Sequence, residues 1–286
     1  MYKKILTYKY VQNSTQRLPL DSIECRCRFC GEVKTKNEFK KKAHAVAEGI
    51  GNKSLITKYE CDACNDSFAK AEESELGNLL HEFKATHSLK GKNGTTKIQG
   101  AEYLWSEENK TFSAKIDMQK AGYDVAIINA IDNNNTEFLL CRRKEVDLRL
   151  VYGALVKFAL SVVSESISKE LNKGYAILHG RDAFPSYEGW IAISQKPIAA
   201  PEISIYESDN SAVVKYLGAI DAFQFRYIIP LEFEKVPKLS LLDIMPYIDI
   251  SGIDDCRVYS FDYSNSQNLP QITQLTGNLN NWSIGK

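Results

Sequence analysis

Apolar and polar positions change rhythm near residue 100 of this chain. Residues 1–20 alternate weakly and carry aromatic and β-branched side chains, which predicts one strand and a lead-in. Residues 21–64 break into short extended pieces and turns. From Asn65 to about Thr86, NDSFAKAEESELGNLLHEFKAT sets Phe68, Leu76, Leu79, Leu80 and Phe83 near helical spacing, with acidic residues opposite, and predicts a helix. SLKGKNGTTKIQG (88–100) has linker composition and marks the expected domain boundary, giving a front domain 1–90 and a rear domain 101–286.

Beyond the linker, short β-rich runs predict strands at 101–105, 112–117, 124–130, 137–141, 175–180, 189–195, 202–208 and 223–233. One long apolar-periodic stretch, DLRLVYGALVKFALSVVSESI (147–167), predicts a largely buried helix. Runs of strands with one main helix indicate an α+β fold, mostly antiparallel.

Composition adds bounds. The chain has 286 residues, 44% hydrophobic and 25% charged, which excludes a disordered polymer. No run reaches the 18 or so apolar residues of a membrane-spanning helix. MYKKILTYKYVQN lacks the apolar core of a secretory signal, so no membrane partner and a cytoplasmic location are expected. Residues 1–100 hold 18 Lys+Arg against 12 Asp+Glu, a net of +6, which leaves −6 for the remainder. A polyanion would therefore be handled at the front.

Five of the seven cysteines (Cys25, Cys27, Cys30, Cys61 and Cys64) fall within one 40-residue stretch. Cys27-Arg-Phe-Cys30 and Cys61-Asp-Ala-Cys64 are two C-x-x-C pairs, and two such knuckles make the tetrahedral sulfur cage that Zn²⁺ prefers. Gly31 suits the left-handed turn of such a knuckle. Structural zinc on these four is the expectation, with four free or redox thiols as the alternative. Cys25 could replace a ligand, but its C-x-C spacing with Cys27 suits a supporting or incidental role better, and Cys141 and Cys256 are read as buried thiols.

Between and after the pairs stands NEFKKKAHAVAEGIGNKSLITKYECDACNDSFAKAEESEL. It carries His44 after a basic run, Gly51-Asn52-Lys53 in a turn, and Asn65 directly after the fourth cysteine. Over about residues 25–83 this resembles the HNH endonuclease family, in the branch with an A-H-x-x-x-E-x-x-G-N-K stretch and a C-x-x-C-N ending. The resemblance implies a small zinc-braced ββα-metal domain of treble-clef form that cuts DNA, with anti-phage defence as a setting. It implies His44 as general base, Asn52 as the asparagine that shapes the loop, and Asn65 as the residue on the side of a catalytic divalent ion, Mg²⁺ or another. An imidazole of pKa about 6.5 can take a proton at working pH. Beside such a base, Lys40, Lys41 and Lys42 would contact phosphates.

Three positions depart from the family pattern. Ala43 stands where an acidic residue or histidine precedes the base, Asn65 where the last histidine stands, and Asn52 lies farther from the second cysteine pair. Glu48 and Glu72 are the nearest carboxylates; orienting His44 or pairing with a lysine suits them better than joint ligation. His81, His87 and His179 carry no partner pattern. The rear domain has no phosphate-binding glycine motif, nucleophile elbow or second metal cluster. HGRDAFPSYEGW (179–190) reads as a connecting loop or a recognition surface, and analogy of layout gives the rear domain a sensing or homo-oligomerising role with an activating ligand. The competing class is a non-catalytic zinc module that binds nucleic acid or a protein, for which Ala43 is the main support.

Overall fold

The computed structural model describes residues 2–9, 16–18, 25–86, 90–91, 94–95, 101–106, 111–116, 123–130, 136–142, 146–194, 198, 200–209, 214–237, 239–240, 257–264 and 272–277. The first part holds β1 (Tyr2–Lys9), β2 (Gln16–Arg17), β3 (Ala43–His44), β4 (Leu55–Thr57), α1 (Asp62–Lys70), α2 (Glu72–Leu79) and α3 (His81–Thr86). Next come β5 (Lys90–Gly91), β6 (Gly94–Thr95), β7 (Ala101–Ser106), β8 (Thr111–Ile116), β9 (Tyr123–Ala130) and β10 (Thr136–Arg142). They are followed by α4 (Leu148–Val162), α5 (Glu165–Glu170), α6 (Asn172–Gly180) and β11 (Glu188–Ile193). The last strands are β12 (Glu202–Ser208), β13 (Tyr216–Ala222), β14 (Phe225–Pro230), β15 (Arg257–Asp262) and β16 (Ile272–Gly277). The result is a mixed α+β architecture. Among the described residues no helix is long and apolar enough to cross a membrane.

Contacts divide the chain into two compact units, residues 1–77 with 148–265, and residues 78–147 with 266–286. The stretch 88–100, where the sequence pattern sets a boundary between 1–90 and 101–286, falls within the second unit. That unit holds the antiparallel sheet β16-β10-β9 and the hairpins β5–β6 and β7–β8. The side chain of Cys141, and His87 and Cys256 altogether, lie outside the described residues.

The first unit is built on a six-stranded antiparallel sheet of order β1-β12-β13-β14-β11-β15. Its N-terminal strand β1 pairs with β12 from Tyr2↔Ser208 to Lys9↔Glu202, closing the sheet edge across some two hundred residues of sequence. Every residue of β13 is buried, because both faces of the sheet are covered. One face packs on α4, so closely at Gly218 that a Cβ there would lie 3.0 Å from the Ala159 Cβ. The other gathers Tyr2, Trp190, Tyr206, Val214, Leu217, Ala219 and Ile228 into a second core. In α4 every residue but Arg149 and Leu150 is buried, as a helix apolar on all sides requires.

Two local expectations are corrected. The segment 175–180, expected as a strand, belongs to helix α6, where Gly174, Tyr175, Ile177 and Leu178 are buried. Short apolar runs suit either element, and here burial at helical spacing decides. The stretch 65–86, expected as one helix, is three: the backbone breaks at Ala71 (φ −116°, ψ −86°), so α1, α2 and α3 succeed one another.

Candidate metal centre and active site

The first cysteine pair sits in a tight knuckle. Arg26 bridges Val33, the Cys27 amide donates to the Glu32 carbonyl (3.0 Å), and the Gly31 amide donates to the Cys27 carbonyl (2.9 Å). Gly31 closes the turn at φ +70°, the left-handed region glycine enters without steric cost. The second pair lies on a helix start. Cys61 is the N-cap of α1 and Cys64 belongs to its first turn. The knuckle and the helix are joined where the Cys61 amide donates to the Cys27 sulfur (3.4 Å) and the Arg28 amide to the Tyr59 carbonyl (2.8 Å). The Arg28 guanidinium lies 3.7 Å from the centre of the Tyr59 ring, and its Nη1 donates to the Val163 carbonyl at the end of α4 (2.8 Å).

The Sγ atoms of Cys27, Cys30, Cys61 and Cys64 all lie within 4.8 Å of one another. Cys27 and Cys64 sulfurs are 3.8 Å apart, the edge of a tetrahedron whose metal–sulfur bonds are about 2.3 Å. The hydrogen bond shared with Cys64, helped by backbone donors, draws the Cys27 thiol down to about 5 against the effect of burial. Burial pushes Cys30 up to about 11, and the bond to Cys27 raises Cys64. Four thiolates this close repel one another, and a dication at their centre removes the penalty. The four cysteines are thus positioned to bind a metal ion, compatible with structural zinc. Cys25 stays outside the group, its carbonyl accepting from the Lys34 amide (2.8 Å).

His44 lies on β3, the edge of a three-stranded sheet of order β2-β4-β3, with Ala43 opposite Thr57 and His44 opposite Ile56. Its side chain is half-buried, and Nε2 stands 3.9 Å from Glu48 Oε2. Ala43, only 1% exposed, points into the core. The chain from His44 back to β4 is shaped by Asn52, which is fully buried. Asn52 Nδ2 donates to the carbonyls of Val46 (2.7 Å) and Leu55 (3.0 Å), and Oδ1 accepts from the amides of Ser54 (3.1 Å) and Leu55 (2.8 Å). Gly51, at φ +107°, makes the left-handed step before it. Every donor and acceptor of this amide is committed to the loop, so Asn52 is a positioning residue here.

Asn65 follows Cys64 in α1, half-buried, with its amide donating to the Cys61 carbonyl (2.9 Å). Lys40, Lys41 and Lys42 are exposed. The amides of Lys40 and Lys41 donate to the Asp62 carboxylate (3.3 and 2.9 Å), and the Lys41 ammonium pairs with Asp66. Thus the basic run is tied down beside the start of α1. Glu72 does not continue the helix of Asn65: it opens α2, is buried, and faces Arg181 Nη1 at 3.4 Å. Arg181, held in the left-handed region (φ 56°) just past α6, also donates to the Ser67 hydroxyl (2.8 Å). His179 lies in α6 and His81 in α3.

Lys157 is the residue that sequence reasoning missed. It sits in the middle of α4, fully buried, with Nζ 2.9 Å from Glu73 Oε1, 3.1 Å from Glu60 Oε2 and 2.9 Å from the His44 carbonyl. Burial pushes the Glu60 carboxyl up to about 7, while the Lys157 charge opposes the rise. A lone lysine in an otherwise apolar helix was the available sign of such a buried partner. Among the described residues, the four cysteines are the one group of three or more His, Cys, Asp or Glu side chains placed to hold an ion.

No family model, curated protein or solved structure matches this chain. The functional reading therefore rests on the residues themselves.

Proposed function

We propose that this protein is a metal-dependent endonuclease that hydrolyses DNA phosphodiester bonds, with His44 as its general base. One succession of parts carries the reading: His44 on an edge strand, a loop built around Asn52, the return strand β4, and then Cys61 opening α1 with Cys64 and Asn65 in sequence. Together with the cysteine knuckle this would make a zinc-braced treble clef around two strands and a helix. His44 takes the proton of a water as its oxygen attacks phosphorus; the P–O bond opposite breaks, and the leaving oxygen gains a proton from solvent. Asn65 is the residue that would face a divalent ion such as Mg²⁺, which when bound would supply positive charge for the leaving oxygen. Lys40 and Lys42 contact flanking phosphates, and Asn52 keeps the loop that carries His44 in shape. The six-stranded sheet is the candidate for activation by a ligand or for self-association.

A second reading, a zinc module that binds nucleic acid or protein without cutting, is favoured by one observation. Ala43 is 1% exposed and offers no ligand where the resemblance sets one. Supercoiled plasmid incubated with the protein and Mg²⁺, Mn²⁺ or Ni²⁺ separates the two. Nicking that EDTA abolishes supports the nuclease; retarded but intact plasmid supports the binding module.

A further inference from the structure

Lys157 joins α4 to the cysteine segment and reaches the strand of the proposed base. The Lys157 ammonium donates to the Glu73 carboxylate and to the main-chain carbonyl of His44, and forms an ion pair with Glu60 Oε2 at 3.1 Å. Its ammonium also lies 5.9 Å from the Phe68 ring centre and 5.7 Å from that of Phe158. Uncharged side chains of similar volume at 157, 60 and 73 would avoid desolvating an ammonium and two carboxylates, so this arrangement is a poor device for stability alone. It is a good device for direction. A strand at a sheet edge is held by its neighbour on one side only, and β3 is such a strand, two residues long. The ammonium fixes the other side of that short strand to the most buried helix of the unit. Glu60 and Glu73 in turn hold the ammonium in place from either end of the α1 segment, at the residue before Cys61 and in α2.

We propose that Lys157, through its bond to the His44 carbonyl, is a positioning residue that fixes the strand of the base against α4. The inference rests on the reading of His44 as base, and it gives the sheet unit a direct mechanical hold on the site. Movement of α4 along its axis would carry the His44 carbonyl with it.

The test uses the full chain loaded with zinc. Lys157→Met leaves the buried Glu60 and the partly buried Glu73 without a cation and can prevent folding, so it is made together with Glu60→Gln and Glu73→Gln, which removes all three charges. In this triple variant, zinc content and KM for a duplex substrate should stay within about twofold of wild type. Its kcat should fall by about 10- to 100-fold, as misplacing a base does. Amide exchange at residues 43–46 should quicken at least tenfold, with exchange in β13 unchanged. Glu73→Gln alone retains the donor to His44 and should keep kcat within about threefold. A triple variant with wild-type kcat and unchanged exchange at 43–46 would overturn the inference, leaving Lys157 an ion-pair partner only. If wild-type protein cuts no DNA, the nuclease reading fails, yet the exchange comparison still decides whether Lys157 holds β3.

Discussion

Asn52 and His44 show how differently two residues of one motif are used. Asn52 makes four hydrogen bonds to the main chain between Val46 and Leu55 and is fully buried. Asn52→Ala removes all four bonds, leaving the Leu55 carbonyl only its bond from the Ala45 amide (3.1 Å), and should destabilise the first unit by about 2–4 kcal/mol in urea denaturation. A loss below about 0.5 kcal/mol would show that water replaces the amide. Its effect on cleavage should follow from the loosened loop and should exceed the loss of a mere turn residue. Asn65→Ala should leave stability nearly unchanged and reduce cleavage, with part of the loss recovered at higher Mg²⁺ if its amide faces the ion. No recovery across a hundredfold range of Mg²⁺ would remove Asn65 from the metal side. Of the two carboxylates the sequence pattern offered near His44, Glu48 is the one that stands beside it, with Oε2 3.9 Å from Nε2.

At the level of secondary structure, the two cysteine pairs were legible because their spacing alone defines a tetrahedral cage, whatever the fold around them. Gly31 was legible for the same local reason, and its φ of +70° follows. The strands between 101 and 142 and the long helix α4 were readable from apolar rhythm and length. Other features depended on what lies across from them. The segment 175–180 is helical because it packs its apolar positions at helical spacing, and the break at Ala71 turns Glu72 toward Arg181. β13 and β15 were not separated from surrounding apolar and polar sequence because their pairing partners, not their own alternation, define them. Zinc should be integral to the cysteine segment: metal analysis should find one tightly held Zn²⁺ per chain, and Cys61→Ser should lose it and unfold residues 25–70. Retained near-UV dichroism and unchanged protease resistance after complete zinc removal would contradict this.

Across the first unit, residues far apart in sequence form one body. β1 completes the sheet beside β12, Arg28 anchors the knuckle to Val163, the Phe29 ring meets Tyr175 at 5.4 Å, and Lys157 reaches His44. Each joins segments more than a hundred residues apart, so no local pattern names the partner; only Lys157, a lysine in an apolar helix, signals that a buried partner exists. A fragment of residues 1–90 lacks every one of those partners. It should therefore expose apolar surface and aggregate or remain protease-sensitive even with zinc, whereas the full chain resists; a stable, monomeric, zinc-loaded fragment would show that the cysteine segment folds alone. The proposed chemistry is tested most directly by plasmid cleavage with wild-type protein and His44→Ala, each at one zinc per chain and equal thermal stability. Wild type should nick the plasmid in Mg²⁺ or Mn²⁺, and His44→Ala should be slower by about 10²–10⁴-fold. Equal rates for the two proteins, or no cleavage by wild type with any of the divalent ions, would contradict His44 as the base of a nuclease.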